Sequence, residues 1–212
     1  ALAEKIITPQ TSILSTGGLR IGPQFFPDWK AGGHGPTNLH KAIAWSVNTF
    51  FYTIGGGYES FVGLGVDRLE SWMRRFGLGS KTGVDLPSEA SGFVPTLEWK
   101  QQTKGEKWFV GDTYNLSIGQ GDLLVTPLQV ANYTAAIANR GFLLQPHIIK
   151  TNSTTPQGSQ VADATLVDQV RAGMRDAVTY GSARALNDLP FPVAGKTGTA
   201  QWSSKKKNHA WF

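Results

Sequence analysis

Two short segments carry the residue types best suited to chemistry. In Lys196-Thr197-Gly198-Thr199 a cation, a hydroxyl, a residue without a side chain and a second hydroxyl interrupt the small, apolar run from Val193 to Ala200. On a strand, that order could hold a ligand carboxylate by charge-assisted hydrogen bonds while the ligand's own backbone approaches closely over Gly198, as an added strand would. Ser46-Val47-Asn48 offers a hydroxyl and a carboxamide one residue apart, between two segments of helical character. Neither pattern is specific alone. Lys81-Thr82-Gly83 repeats the first one after a helix end and before Asp85-Leu86-Pro87, where turn geometry accounts for it. Ser46 and Asn48, taken alone, are better read as helix caps at a junction than as catalytic groups. Cysteine is absent, which excludes a disulfide framework, a thiolate metal site and a cysteine nucleophile and leaves the compartment open.

The elements that must position these residues can be read from periodicity and punctuation. Asn38 is placed to cap a helix bearing Leu39, Ala42 and Ile43, and the apolar run Thr49 to Ile54 continues past the Ser-x-Asn segment until Gly55-Gly56-Gly57. Leu69, Trp72, Met73 and Phe76 fall at i, i+3, i+4 and i+7, so a third helix with this stripe in the core is expected to end at Gly77. Thr126-Pro127-Leu128-Gln129 is a capping box with Pro at the first helical position, and Gly141 stands where a C-terminal glycine belongs. Pro146 to Lys150 is expected to be a strand, and Thr151 to Gln160 a surface turn or hairpin. Asp163 then caps a helix with Leu166, Val167, Val170, Met174 and Val178 on one face. Val193 to Ala200 is a strand candidate that Ala210-Trp211-Phe212 could pair with across a lysine-rich turn. Residues 1 to 37 and 77 to 125 are expected to be largely irregular, loops and turns, the former with room for a short strand. No repeat and no linker divides the chain.

Composition narrows the class. The 212 residues are 40% hydrophobic and 17% charged, with seven Trp and eleven Phe, which excludes a disordered chain, and 25 Gly argue against a simple helical bundle. The formal charge of +5 would favour an anionic partner, but part of it is the run Lys205 to Lys207, which suits a solvated loop. A nucleic-acid surface would interleave aromatic and basic residues on one element, and none does so here, so no nucleic acid is expected. No apolar stretch approaches the ~20 residues that span a bilayer, so the chain as given is expected to be soluble. It starts without Met and finishes on Trp211-Phe212, as though in mid-strand, and is expected to be a piece of something longer.

Taken together, the motifs become specific. Ser46-x-Asn48 followed late by Lys196-Thr197-Gly198-Thr199 gives two of the three signatures of penicillin-binding proteins and serine β-lactamases. The flanks fall in the order of the class B enzymes: Ser46 to Tyr52; Phe76-Gly77-Leu78-Gly79 with Thr82 to Pro87; Gly111-Asp112-Thr113 with Ile118-Gly119-Gln120-Gly121; Thr126 to Gln129; and Ala194 to Gln201. From about Ile6 onward the chain resembles the transpeptidase domain of class B penicillin-binding proteins of the penicillin-binding protein 2 group.

That resemblance implies an α+β fold of the β-lactamase/transpeptidase type, an antiparallel sheet flanked by helices, with residues 1–212 forming a partial domain incomplete at both ends and an exposed sheet edge. It implies a peptidoglycan D,D-transpeptidase that cross-links cell-wall stem peptides by serine acyl transfer from D-Ala-D-Ala and is inhibited by β-lactams. Catalytic roles would fall to Ser46 in a proton relay toward the leaving group, Asn48 on the substrate's peptide side and Lys196 in support of the relay. Thr197, Gly198 and Thr199 would bind substrate, the two threonines at its terminal carboxylate and the Thr199 N–H in the oxyanion hole. No cofactor is implied. A parent anchored in the bacterial plasma or inner membrane, its catalytic domain on the extracytoplasmic face and partnered with a glycan-polymerising membrane protein, would be expected. A β-lactam-binding sensor domain without turnover is the alternative, although the Thr126 to Gly141 block fits the biosynthetic enzymes better.

Two departures from the family pattern matter. The nucleophile of the family lies in a Ser-x-x-Lys box ahead of Ser-x-Asn, and no such box occurs between Ala1 and Ser46; its expected place lies before Ala1. The matches at Ser203 to Lys206 and Ser204 to Lys207 follow the Lys-Thr-Gly strand in a turn and are taken as coincidence, so the chain alone is expected to be inactive. Asp28 and His34 resemble positions that bind zinc in some members, but the completing Cys would align with Val47. A structural zinc site wants four ligands, so no metal is expected and His34 should hydrogen-bond within its Gly-rich loop.

Overall fold

The computed structural model describes residues 1–150, 158–201 and 206–212. Its elements run β1 (Ile13–Ser15), β2 (Gly18–Ile21), β3 (Gln24–Pro27), β4 (Gly35–Thr37), α1 (Leu39–Trp45), α2 (Asn48–Gly56), α3 (Gly65–Arg75) and α4 (Leu97–Lys104). They continue with α5 (Val110–Ser117), α6 (Pro127–Ala138), β5 (Phe142–Leu144), β6 (Gly158–Gln160), α7 (Ala164–Thr179), β7 (Gly198–Ala200) and β8 (His209–Trp211). The class is α+β, and the described strands pair antiparallel in four two-stranded ladders, β1 with β4, β2 with β3, β5 with β6 and β7 with β8. The chain forms two compact units, one from Ala1–Gly65, Phe109–Gly121 and Gln169–Phe212, the other from Val66–Trp108 and Asp122–Asp168. Each unit is assembled from interleaved segments, so no single linker could have marked a boundary.

The first unit contains both motifs. Its core gathers Ile7, Leu39, Ala42, Ile43, Val47, Phe50 and Ile54, with Val170 and Met174 of α7 packed against them. Asn38 caps α1 as expected, its Oδ1 accepting from Lys41 N at 3.0 Å. A Cβ on Gly173 would come within 2.9 Å of Ile43 Cδ1, so α7 crosses α1 at a distance only glycine permits. A second cluster joins Leu19, Tyr52 and Tyr114; Phe26 meets Tyr114 edge-on at 5.0 Å, and Tyr114 Oη donates to Gly57 O at 2.5 Å. These contacts tie α5 to α2. Residues 1 to 37 hold four strands where room for a short one was expected, because the turns between them are set by glycine: Gly22 adopts φ +55°, and Asp28 N closes onto Gly17 O at 2.8 Å.

The second unit is organised by Gln129. Its side chain is 1% exposed; Oε1 accepts from Thr126 N at 3.0 Å, completing the expected capping box on α6, while Nε2 donates to Ser80 O and Ser91 O at 2.8 Å each. One carboxamide thus starts a helix and pins two loops. Lys81-Thr82-Gly83 lies in a loop, with Gly83 at φ 80°, where the Glu89 carboxylate accepts from Thr82 N at 2.7 Å, Thr82 Oγ1 at 2.6 Å and Gly83 N at 3.1 Å.

Three further sequence expectations change. Residues 77 to 125 contain α4 and α5. The first has Lys100 as its only buried residue and so no apolar stripe, but Thr96 caps it through Trp99 N at 3.0 Å and Gly105 ends it at φ 69°. The second is started by Asp112, whose Oδ2 accepts from Phe109 N at 2.7 Å. Pro146 to Lys150 is not a strand, because Ile148 N and Ile149 N donate to the Asp85 carboxylate at 2.7 and 2.9 Å, and the strand falls instead at β5. The α3 stripe of Leu69, Trp72, Met73 and Phe76 is half-buried; only Val66 of that helix is fully buried. The surface turn or hairpin expected from Thr151 to Gln160 lies mostly outside the described residues, which leave out Thr151 to Gln157; its last three residues form β6, paired with β5.

Candidate active site

The junction between α1 and α2 is a turn of opposite hand. Ser46 takes φ 55° and ψ 50°, and Val47 N reaches back to Ala42 O at 3.0 Å, ending α1 in the manner of a left-handed cap but with serine where glycine is usual. Val47 is fully buried in the core, which fixes the turn between Ser46 and Asn48. The α2 N-terminus has no cap of its own at Val47. Asp28 supplies it from a distance: its carboxylate accepts from Asn48 N at 3.3 Å, Thr49 N at 3.2 Å and Thr49 Oγ1 at 2.8 Å, besides Trp29 N at 2.9 Å and Ser15 Oγ at 3.3 Å. A buried carboxylate against the N–H groups at a helix start, which have no partner within the helix, is the favoured electrostatic arrangement.

Opposite this junction lies the second motif. Lys196 Nζ donates to Ser46 Oγ at 2.7 Å and to Thr197 O at 2.7 Å, joining residues from opposite ends of the sequence. Both of these acceptors are neutral, and burial lowers the Lys196 pKa from 10.5 to about 8. Asn48 points differently. Its Nδ2 donates to Pro27 O at 3.5 Å, the same carbonyl that accepts from Tyr52 Oη at 3.3 Å, so the carboxamide sits on the Tyr52 side while Ser46 meets the lysine. Gly198 begins β7 opposite Trp211, and a Cβ there would approach Trp211 Cβ to 3.1 Å, so the partner strand by itself already favours a residue without a side chain at that position.

Two further residues hold the site together and carry no role in the sequence reading. Ser182 N donates to Ala44 O at 2.9 Å, and its Oγ shares a hydrogen bond with Thr197 Oγ1 at 2.8 Å, so the segment after α7 links the C-terminal end of α1 to the Lys-Thr-Gly motif. Gln120 Nε2 donates to Thr199 O at 2.8 Å. The signals were a Gly-Ser pair just past a helix end, too common to single out, and the carboxamide within the Ile118-Gly119-Gln120-Gly121 block, which marks the family without indicating what Gln120 touches.

Asp28 and His34 do not make a metal centre. His34 Nε2 stands 3.9 Å from Asp28 Oδ1, both side chains almost fully buried, but the Asp28 oxygens are already engaged by five donors and the neighbouring position is the apolar Val47. Among the described residues no three His, Cys, Asp or Glu side chains converge on one point. The donor set present does not fit zinc. The hydrogen bonding expected of the His34 ring is not found: its main chain bonds, through N to Ser15 Oγ at 3.2 Å and through O to Lys41 Nζ at 2.6 Å, whereas Nε2 is buried without a partner. The ring packs edge-on against Trp29 at 5.1 Å. Burial holds the His34 pKa below its ordinary value, the nearby Asp28 charge opposing that and Lys30 and Lys41 adding to it.

A half-buried lysine on a serine hydroxyl at a helix junction, beside a short strand carrying two hydroxyls, is an arrangement suited to serine acyl transfer, and comparison with known proteins shows the family. The chain belongs to the penicillin binding protein transpeptidase domain family, whose model matches residues 1–212. It is 42% identical over 189 residues to the peptidoglycan D,D-transpeptidase MrdA of Acinetobacter baumannii, covering 84% of this chain and 27% of that protein. To the protein of that name from Haemophilus influenzae it is 34% identical over its whole length, which is 36% of the relative. Among solved structures, the Helicobacter pylori penicillin-binding protein PBP2 in complex with MreC matches with a TM-score of 0.86 and 37% identity over 97% of this chain and 38% of that one. Pseudomonas aeruginosa PBP2 in complex with WCK 5153 gives 0.85 and 33% over 99% and 48%. The chain therefore spans about a quarter to a third of the length of these curated relatives. Among the described residues no helix is long and apolar enough to cross a membrane.

Proposed function

We propose that this domain serves a peptidoglycan D,D-transpeptidase, which cross-links cell-wall stem peptides ending in D-Ala-D-Ala and is the target of β-lactams. The observation that carries the reading is the 2.7 Å contact between Lys196 Nζ and Ser46 Oγ beside β7. In the reaction, a serine hydroxyl attacks the carbonyl of the penultimate D-Ala, the C–N bond breaks, D-Ala leaves with a proton on its nitrogen, and an amine of a neighbouring stem peptide takes the acyl group. The leaving nitrogen needs a proton at the moment the bond breaks. Lys196 donates to Ser46 Oγ, leaving the Ser46 hydroxyl hydrogen free to point onward to that nitrogen; with a pKa of about 8 the lysine can give up its proton and recover it near neutral pH.

Thr197 and Thr199 bind the terminal carboxylate, the Thr199 N–H polarises the scissile carbonyl, and Asn48 hydrogen-bonds the peptide side. The acyl-accepting serine is not among these residues. No Ser-x-x-Lys box precedes Ser46, and the matches at Ser203 and Ser204 fall mostly outside the described residues, so the chain contributes the relay and the substrate contacts. The relatives named D,D-transpeptidase, together with one neighbour seen with MreC and another within a peptidoglycan synthase complex, support a membrane-anchored parent acting on the extracytoplasmic face beside a glycan polymerase. Titrating the chain with diacetyl-L-Lys-D-Ala-D-Ala should shift the backbone amide resonances of Thr197 and Thr199, and Thr197→Val should weaken that response. A peptide that leaves both amides unmoved at millimolar concentration would refute the reading.

A further inference from the structure

The free edge of β7 is already occupied. β7 pairs with β8 through Gly198 to Trp211, Thr199 to Ala210 and Ala200 to His209. Thr199 O accepts from Gln120, which is no part of β8, so the main-chain groups of Thr199 face the edge away from β8 and Thr199 with Ala210 is the pair without ladder hydrogen bonds. Two residues further along the chain, just past the end of β7, Gln201 N donates to Gln120 Oε1 at 3.4 Å. Both partners are main-chain groups of fixed polarity, which fixes the orientation of the carboxamide. One side chain therefore meets a carbonyl and an N–H of this segment as a passing peptide backbone would. Gln120 is held out by Gly119 and Gly121, at φ 73° and 79°, and by its own N–H on Asn115 O at 2.9 Å, and both glycines are exposed.

We propose that the Gln120 carboxamide holds the place of the substrate's own backbone on β7 and that an incoming stem peptide displaces it. The inference rests on the transpeptidase reading above. If the scissile carbonyl accepts from Thr199 N–H, the N–H of the same penultimate D-Ala falls on Thr199 O, because residues of a hydrogen-bonded antiparallel pair exchange both bonds. That acceptor is the one Gln120 Nε2 now fills. Gln120 thus keeps the open edge satisfied while the site is empty, discouraging unspecific strand pairing, and admits only chains that return both hydrogen bonds.

The test measures binding of diacetyl-L-Lys-D-Ala-D-Ala to the chain from the Thr197 and Thr199 amide shifts, in the wild type, Gln120→Ala and Gln120→Met. The methionine variant keeps the side-chain length and removes the donor. Relieved of the competing hydrogen bonds, both variants should bind about threefold to tenfold more tightly. In the wild type the peptide N-methylated at the penultimate D-Ala, which has no N–H to return to Thr199 O, should bind more weakly than the parent peptide, and equal binding of the two would overturn the placeholder. Unchanged or weaker binding by folded variants, with the wild type still binding, overturns the placeholder and leaves the transpeptidase reading standing. Failure of every protein to bind the parent peptide overturns both.

Discussion

Replacing Lys196 by methionine should change how stability depends on pH, in a direction the structure fixes. The ammonium is half-buried and donates to two neutral oxygens, and burial lowers its pKa from 10.5 to about 8. A lysine that holds its proton less tightly in the fold than in the unfolded chain makes the unfolded state bind more protons between those two values, so stability must rise with pH across that window. At about 1.4 kcal/mol for each pH unit of displacement, the rise is about 2–3 kcal/mol after allowance for residual solvent contact. Below pH 8 the penalty is present in full; above pH 10.5 it is gone. The Lys196→Met variant has no such group, so the wild-type stability measured against it should climb by that amount from pH 7 to pH 10.5. Urea unfolding followed by tryptophan fluorescence at several pH values provides the comparison, and subtracting the variant removes the tyrosine titrations common to both proteins. Parallel curves for the two proteins would refute the claim that Lys196 is held charged at a cost, and with it the proton relay built on a weakened lysine.

Three other outcomes are expected. Asp28→Ala should cost about 3 kcal/mol in urea unfolding, since it removes the α2 cap and leaves the Thr49 hydroxyl and several N–H groups without an acceptor, a loss beyond an ordinary cap substitution. His34, its pKa lowered by burial, must be charged on unfolding in acid; the wild type should lose stability as pH falls below about 6.5, and His34→Gln should show a flatter acid limb in the same assay. Incubation with a penicillin should leave the intact mass of the chain unchanged, because no Ser-x-x-Lys box precedes Ser46; a covalent adduct on Ser203 or Ser204 would show that the late matches are not coincidental.

How much of this could be read from the chain depended on the range over which each signal acts. Caps and periodic faces are local, so Asn38, Thr126 with Gln129, and Asp163 marked their helices correctly; Asp163 Oδ1 accepts from Thr165 N at 2.8 Å at the start of α7. α4 escaped because its buried position is a lysine, and Pro146 to Lys150 misled because an apolar pair reads as strand until a carboxylate some sixty residues earlier in the sequence claims its N–H groups. Burial of the α3 stripe was overstated for a related reason. Periodicity says which face is apolar and nothing about how completely that face is covered.

The site divides along the same line. Lys196, Thr197 and Thr199 stood out because polar groups in an apolar run are locally anomalous, and Ser46 because it falls at a junction between helices. What joins them is non-local: Asp28 caps a helix twenty residues downstream, Ser182 ties α1 to Thr197, and Gln120 crosses to a strand about eighty residues away. Such contacts leave no period in the sequence, since each is a single hydrogen bond between residues far apart in the chain, and several of them use main-chain groups that every residue possesses. The αL conformation of Ser46 adds a constraint of its own. Glycine would adopt that turn without strain, so a serine kept there points to a hydroxyl needed by Lys196 and not by the backbone. The two motifs are therefore the visible ends of a network whose middle is made of ordinary residues, and Gln120, flanked by two glycines that give it reach, is the part of that middle positioned to respond when a substrate arrives.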